Sequence, residues 1–76
     1  MLNGLKLFVA DVVDEYNGEQ TIWYVVDITY NSAFKRFVKE ANKTWDRYLY
    51  YFDEADNETV ENFIEMNGDV GAGIYD

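Results

Sequence analysis

The chain contains no cysteine, no histidine and no proline among its 76 residues. Without cysteine it has neither a disulfide that would indicate an oxidising compartment nor a thiolate nucleophile. Without histidine it lacks the side chain that most often transfers protons near neutral pH. Paired carboxylates can hydrolyse glycosides, but a chain this short offers no obvious deep cleft. We therefore expect no enzymatic activity and no cofactor.

Long hydrophobic runs are also missing, since no stretch approaches the roughly 18 apolar residues of a membrane-spanning helix. The opening residues M-L-N-G-L-K-L-F-V-A-D hold one lysine and a short apolar run that Asp11 interrupts. This pattern, which has no small-residue cleavage site, is not that of a signal peptide. Hydrophobic residues make up 49% of the chain and aromatic residues 18%, which disfavours disorder. The sequence therefore predicts one soluble cytoplasmic domain, residues 1–76.

Basic residues are few and unevenly placed. Lys and Arg total six against fifteen Asp and Glu, and the net charge is −9. Residues 1–34 carry a net charge of −4, residues 35–47 carry +3, and residues 48–76 carry −8 with no base at all. Such a field repels nucleic acid and attracts basic protein surfaces.

Three segments have the composition of β-strands. Residues 5–13 are almost continuously apolar, residues 21–29 alternate, and residues 47–52 (R-Y-L-Y-Y-F) are aromatic-rich. Between the first two lies Asn17-Gly18, a pair that can take the positive φ values of a hairpin turn. The sequence therefore predicts a hairpin and one further strand.

Helical spacing follows in two places. Ser32 is a suitable N-cap for a first helix, whose apolar positions recur at helical intervals at Phe34, Phe37, Val38 and Ala41. A second helix is predicted at residues 57–67 and ends at Gly68, which suits the left-handed residue after a helix. A strand at residues 59–64, hairpinned to the third strand, is the alternative interpretation of this segment.

We therefore predict an α+β fold, a small single domain with an antiparallel three-stranded sheet and one or two helices in the order β-β-α-β-α. The tail G-D-V-G-A-G-I-Y-D is expected to be loose or to form a short edge strand. Short helices can cover one face of such a sheet, so we expect the other face to stay partly open as an association surface. Self-pairing is the commonest form of association, which favours a homodimer. The side chains assigned to its interface are Trp23, Tyr48, Tyr50 and Phe52.

The segment of residues 51–70 carries seven carboxylates and no base. Helical neighbours three or four residues apart lie about 5–6 Å from one another, and DNA offers one phosphate per roughly 3.4 Å of axis on each strand. A helix at residues 57–67 would therefore present carboxylates at a phosphate-like pitch. We predict two partner-binding rows: an acidic row of Asp53, Glu54, Asp56, Glu58, Glu61, Glu65 and Asp69, and a hairpin row of Asp14, Glu15 and Glu19.

Metal and nucleotide sites have little support in the same segment. A calcium loop that started at Asp53 would place Glu58 where the EF-hand needs glycine and Ile64 where it needs a bidentate glutamate. An irregular weak site at Asp53, Asp56 and Glu58 stays open as an alternative. Gly71-Ala72-Gly73 is followed by three residues, too few for the helix of a dinucleotide loop. We predict no metal site.

This short, acidic, aromatic-rich chain without Cys, His or Pro resembles phage-encoded DNA-mimic inhibitors of host DNA-binding proteins. Within that group it is most similar to the small phage inhibitor of the nucleoid-associated protein HU. A local stretch, V-A-D-V-V-D-E-Y-N-G-E-Q-T-I-W at residues 9–23, is similar to the strand–turn–strand opening of plasmid antirestriction proteins, which are also DNA mimics. Both resemblances imply a protein of the host cytoplasm that occupies the DNA-binding surface of a basic host protein, without binding nucleic acid or membrane itself.

Two other functions stay open. An anti-restriction or anti-CRISPR inhibitor would use the same mimicry against a different target. A structural or regulatory interaction module would carry its acidity for solubility alone. The sequence also leaves open whether the basic stretch at residues 35–47 touches the partner or neutralises the acidic surface of its own dimer.

Overall fold

A four-stranded antiparallel sheet with one helix on each face forms the protein. The structure is a computed structural model that describes residues 2–76. The strands are β1 (Lys6–Asp14), β2 (Gln20–Asp27), β3 (Tyr48–Glu54) and β4 (Gly73–Tyr75), the helices are α1 (Tyr30–Thr44) and α2 (Asn57–Asn67), and a single 3₁₀ turn spans Leu2–Gly4. The predicted α+β class is therefore confirmed.

The sheet has the strand order β3-β1-β2-β4, so the prediction of three strands is one short. The added strand is the tail, where Gly73–Tyr75 pairs with Tyr24–Val26 of β2. This pairing satisfies backbone groups that would otherwise be left open on the edge of β2. Of the two forms expected for the tail, loose or a short edge strand, the structure shows the short edge strand. Strand β3 also continues through Asp53 and Glu54, two residues beyond the strand predicted at residues 47–52.

The turn of the β1–β2 hairpin contains one residue with a left-handed backbone conformation. Gly18 has φ 74°, whereas Asn17 keeps a negative φ. The Gly18 N–H donates to the Asp14 carbonyl at 2.8 Å, and the Asn17 side chain accepts from the Glu19 N–H at 2.9 Å. Asn17 therefore stabilises the turn through its side-chain oxygen rather than through a left-handed backbone.

Helix α1 starts earlier than predicted, because Thr29 is its N-cap. The Thr29 hydroxyl accepts from the Ser32 N–H at 3.1 Å, so Ser32 is a donor inside the first turn and its assignment as the cap was wrong. Thr29 is the extended residue at the entry to the helix, with φ −136° and ψ 162°. An extended backbone with a short hydroxyl side chain is what an N-cap requires.

The face of the sheet under α1, called the α1 face, holds the larger hydrophobic core. Ala33, Phe37 and Ala41 of the helix are buried against it. The strand residues of this core are Phe8, Ala10, Val12, Trp23, Val25 and Phe52.

This packing corrects the predicted dimer interface. Trp23 and Phe52 are only 9% and 7% exposed, and the rings of Tyr48 and Tyr50 lie 6.4 and 5.5 Å from the ring of Phe37. The assumption that these four side chains share an uncovered sheet face was wrong, because α1 buries Trp23 and Phe52 there, although Tyr50 remains 49% exposed. Whether the chain forms a dimer stays a prediction.

The opposite face, called the α2 face, is covered over part of its length. Leu7 and Val26 pack with Leu2 and Phe63 in a second buried cluster. The helix at Asn57–Asn67 is confirmed, and the alternative strand at residues 59–64 was wrong. Beyond α2 the same face continues with three side chains that are 45, 62 and 69% exposed: Ile22, Leu49 and Tyr51. The open half of the sheet therefore lies on the α2 face. No helix within residues 2–76 is both long and apolar enough to cross a membrane.

Candidate partner-binding surface

Helix α2 is fixed at both ends by local interactions. At its start the Asp56 carboxylate accepts from the Thr59 N–H at 2.8 Å, and at its end the Gly68 N–H donates to the Ile64 carbonyl at 2.7 Å. Gly68 has φ 78°, a left-handed value that costs glycine little. The hydrogen bonds from the Thr59 backbone and side chain lower the pKa of Asp56. The cap therefore stays ionised at neutral pH and lies at the positive end of the helix dipole.

The buried side of α2 orients its acidic side. Phe63 is 4% exposed, and its ring lies 5.5 Å from the ring of Tyr24 and 5.7 Å from that of Tyr75. Opposite this anchor the side chains of Glu58, Glu61 and Glu65 are exposed, as the helical spacing predicted. The packing of Phe63 thus fixes the direction in which these glutamates point.

Within residues 2–76 no cation forms an ion pair with the carboxylates of α2. Two ion pairs exist in the part of the chain that the structure describes, Arg36 with Asp27 at 3.1 Å and Lys43 with Glu40 at 3.8 Å. Neither pair includes a residue after Lys43. Among the described residues, therefore, ion pairing does not neutralise the negative charge of residues 48–76. Like charges on one side of a helix destabilise the free protein slightly.

The two kinds of acidic residue play different parts in this surface. Asp53, Asp56 and Asp69 each accept a backbone N–H, from Glu54, Thr59 and Leu2 at 2.8, 2.8 and 2.7 Å. Over residues 2–76 the glutamates of α2 accept no hydrogen bond. The aspartates are thus partly committed to the fold, whereas the glutamates keep all of their acceptor capacity for a partner.

The two predicted acidic rows lie at opposite ends of the sheet. Asp14, Glu15 and Glu19 belong to the β1–β2 turn, whereas Glu54 pairs with Phe8 near the other end of β1. Asp14 lies six positions after Phe8 in the strand, which is about 20 Å at roughly 3.3 Å per residue. Within the acidic row, Asp53 pairs with Val9 on the α2 face, whereas Glu54 pairs with Phe8 and lies on the α1 face. The structure does not join the hairpin row to the carboxylates of α2.

Four of the five bases in the basic stretch belong to α1, which lies on the far side of the sheet from α2. Helix α1 packs on the α1 face, and its basic side chains Lys35, Arg36, Lys39 and Lys43 are all exposed. Within residues 2–76 none of the four forms an ion pair with a carboxylate of α2. The sheet therefore separates a basic helix from an acidic one. The lysines do not offset the charge of α2 within one protomer.

The carboxylates considered for a weak cation site do not form one. Among residues 2–76, no group of three or more carboxylates is arranged to hold a metal ion. Asp56 already caps α2, and Asp53 accepts from the Glu54 N–H. The segment Gly71-Ala72-Gly73 leads into β4 rather than into a helix.

Two exposed side chains on the α2 face were missed by the sequence reasoning, Leu49 and Tyr51. Strand alternation could have found them, because residues 49 and 51 must face away from Tyr48, Tyr50 and Phe52. The sequence did not show which of the two faces a helix would cover. These side chains add an apolar area beside the acidic surface.

Helix α2 thus presents a row of unpaired glutamates on a scaffold that is anchored by Phe63 and capped at both ends. Such a row can attract a basic surface and accept hydrogen bonds from Lys or Arg. Comparisons of the chain with protein-family models, with curated proteins and with solved structures found no match.

Proposed function

We propose that the protein is a DNA-mimic inhibitor, which presents the carboxylates of α2 to the DNA-binding surface of a basic host protein and blocks its DNA binding. The observation that carries the proposal is the exposed row of Glu58, Glu61 and Glu65, which forms no ion pair within residues 2–76. A protein that binds DNA has Lys and Arg placed to contact phosphates. A fixed row of carboxylates can pair with the same groups.

The spacing of the row supports mimicry over a general acidic surface. Helical neighbours three and four residues apart are separated by about 5–6 Å, a pitch suited to side chains that bind successive phosphates. Asp53 at the end of β3 lies on the α2 face and adds a further negative charge there, whereas Glu54 lies on the α1 face. A solubilising surface needs no such order, because charges of both signs spread over the protein serve that purpose.

We propose the nucleoid-associated protein HU, or a similar nucleoid protein of the host cytoplasm, as the target. The support for this target is the overall resemblance in size, charge and aromatic content to the phage inhibitor of HU. A restriction or CRISPR nuclease is the second candidate, favoured by the antirestriction-like stretch at residues 9–23. Both targets bind DNA phosphates and are open to the same inhibition.

A displacement assay tests the proposal. Labelled duplex DNA bound to purified HU is titrated with the protein and followed by gel shift, and we expect release of free DNA at stoichiometric amounts. The double variant Glu61→Gln/Glu65→Gln is expected to release several-fold less DNA. The charge-matched double variant Glu40→Gln/Asp46→Asn, whose changes lie on α1 and in the loop after it, should behave like the wild type.

Two results would count against mimicry by this surface. The first is direct binding of the duplex by the protein at moderate salt. The second is equal loss of displacement in the two double variants, which would assign the effect to net charge alone. Displacement from a nuclease but not from HU would keep the mechanism and change the target.

A further inference from the structure

The two outer strands of the sheet differ in how well they resist pairing with another chain. On one side the sheet ends in β4, which has three residues, and on the other it ends in β3, which has seven. Proteins protect outer strands by keeping them short or by placing Lys, Pro or a bulge in them. Strand β3, Y-L-Y-Y-F-D-E, has neither lysine nor proline.

The hydrogen-bonding pattern of β3 shows which of its backbone groups face outward. The Ala55 N–H donates to the Leu7 carbonyl at 2.9 Å, and the Glu15 N–H donates to the Arg47 carbonyl at 3.1 Å. Along an antiparallel strand, every second residue directs its backbone N–H and C=O to the neighbouring strand. The backbone groups that bond to β1 are therefore those of residues 47, 49, 51, 53 and 55. The backbone groups of residues 48, 50, 52 and 54 therefore point to the open edge.

One contact at this edge agrees with that assignment. The hydroxyl of Tyr30 donates to the Phe52 carbonyl at a long 3.4 Å, which requires that this carbonyl point away from β1. A carbonyl has two lone pairs, so the contact leaves Phe52 able to accept a second hydrogen bond. The edge is thus open along Tyr48, Tyr50 and Phe52.

We propose that a second copy of the chain pairs with this edge, β3 against β3 in antiparallel orientation, so that two four-stranded sheets become one of eight strands. Charge selects the orientation. Arg47 precedes the strand and Asp53 and Glu54 end it, so antiparallel pairing brings the basic end of each copy beside the acidic end of the other. Parallel pairing would set Asp53 against Asp53.

Full overlap of the seven residues fixes the register. Tyr51 then lies on the two-fold axis opposite its own copy, Tyr50 pairs with Phe52, and Tyr48 pairs with Glu54. No carboxylate faces a carboxylate in this arrangement. Tyr51 is 69% exposed and Leu49 is 62% exposed in the single chain, and both would be partly covered by the partner. Cross-strand aromatic pairs of this kind stabilise antiparallel sheets. The proposed dimer does not depend on the proposed function.

Amide hydrogen exchange on the wild-type protein, read by NMR alongside sedimentation, tests the pairing without any mutation. The amides of Tyr50 and Phe52 should be protected, and their protection should fall on dilution as the dimer dissociates. The amides of Leu49 and Tyr51, which bond to β1, should be protected at every concentration. Rapid exchange at Tyr50 and Phe52 at high micromolar concentration would overturn the proposal, as would a clean monomer in sedimentation.

A disulfide test locates the two-fold axis. In a non-hydrogen-bonded antiparallel pair the Cα atoms lie about 4.5 Å apart, within the range that a disulfide can bridge. The chain has no native cysteine, so Tyr51→Cys should form a covalent dimer rapidly under mild oxidation. Leu49→Cys is the matched control, because its two copies would lie roughly 13 Å apart along the strands. Equal cross-linking of the two variants would exclude this register.

A charge substitution tests the same axis by disruption. Tyr51→Lys places two like charges opposite each other and should convert the dimer into a folded monomer. Met66→Lys on α2, a side chain that is 86% exposed, changes the charge equally and should leave the dimer intact. If both variants sediment as dimers, the interface lies elsewhere.

Discussion

At the scale of single residues, side-chain length divides the acidic residues into two groups. Aspartates hold the backbone because their short side chains reach nearby N–H groups, a habit that suits caps and turns. Glutamates rarely do so and remain on the surface. The aspartates that accept a backbone N–H within residues 2–76 are Asp14, Asp27, Asp53, Asp56 and Asp69, whereas Asp11 accepts from the side-chain amide of Gln20.

Asp27 is the buried member of this group. It is 5% exposed, and it accepts from the Ile28 N–H at 2.7 Å and from the Arg36 guanidinium at 3.1 Å. Burial raises the pKa of Asp27, but the hydrogen bonds from Ile28 and Arg36 outweigh burial and hold its pKa below the ordinary value. Asp27 therefore joins the end of β2 to α1.

The change Asp27→Asn should lower the free energy of unfolding by about 1–2 kcal/mol at pH 7, because Arg36 loses a charged partner while the bond to Ile28 is kept. Arg36 is partly exposed, which limits the loss. Because the pKa of Asp27 is lower in the folded chain than in the unfolded chain, its contribution is present above about pH 4. It is lost as the pH falls through the folded pKa. Urea unfolding of variant and wild type from pH 7 to pH 3 measures this, and the two curves should converge in acid.

Glu40→Gln serves as the comparison for that measurement. The pair of Glu40 and Lys43 is exposed and 3.8 Å long, so its removal should change stability by less than about 0.5 kcal/mol. A difference between Asp27→Asn and the wild type that stays constant down to pH 3 would mean that Asp27 acts through packing and not through its charge.

At the scale of elements, α2 combines an anchor with a binding surface. Its apolar side is fixed by Phe63, Val60 and Ile64, and its acidic side is free. Phe63 is buried whereas Glu58, Glu61 and Glu65 are exposed, so we expect changes at the glutamates to leave the packing in place. This separation of the two sides allows the glutamates to be tested without unfolding the helix.

The triple change Glu58→Gln/Glu61→Gln/Glu65→Gln should weaken partner binding and leave the fold intact. Gln is nearly as good a helix former as Glu, and the repulsion between the glutamates is removed. Because long-range charge speeds encounter, association should slow and its dependence on salt should shrink. Calorimetry and stopped-flow binding at two salt concentrations measure both effects.

The control for the triple variant is Val60→Ala/Phe63→Ala, which removes the anchor. Loss of the Phe63 ring alone should cost about 3–5 kcal/mol, so α2 should detach and binding should be lost together with the fold. If the folded triple variant kept its affinity and its salt slope, α2 would not belong to the interface.

At the scale of the whole molecule, the distance between the acidic rows becomes important. The protein extends 37 × 21 × 16 Å, and the hairpin row and the row on α2 occupy opposite ends of the sheet. Residues more than about 7–10 Å apart without shared partners act independently. If a partner contacts both rows, each row should therefore contribute separately to the binding free energy.

We predict that the two rows contribute additively to binding. Asp14→Asn/Glu15→Gln/Glu19→Gln combined with the triple change on α2 should lose the sum of the two separate losses in binding free energy, within about 0.5 kcal/mol. Calorimetric titration of the partner with the wild type, the hairpin variant, the α2 variant and the combined variant gives the four binding free energies that this comparison needs. A larger coupling would mean that the rows meet in the complex, through dimerisation or a change of shape. If the hairpin variant alone has no effect, that row lies outside the interface.

What the sequence by itself determined was local. The bounds of α2 followed from helical periodicity and from Gly68, and the segregation of charge followed from composition. Helix caps and the 3.6-residue period act between residues close in the chain, so a single sequence is enough to place them. Even there Thr29, rather than Ser32, became the cap of α1, because the exact start of a helix depends on where the preceding strand ends.

Only the tertiary structure decided which face of the sheet stays open. Both faces of β1 are apolar, with Phe8 and Val12 on one and Leu7 on the other, so hydrophobicity does not choose between them. Strands β2 and β3 both run antiparallel to β1, which makes the connection through α1 a crossover between parallel strands. The near-constant right hand of such crossovers assigns the helix to a face once the strand order is set. The strand order depends on pairings between residues that are distant in the chain. Those pairings place α1 on the opposite face and so leave Leu49 and Tyr51 exposed.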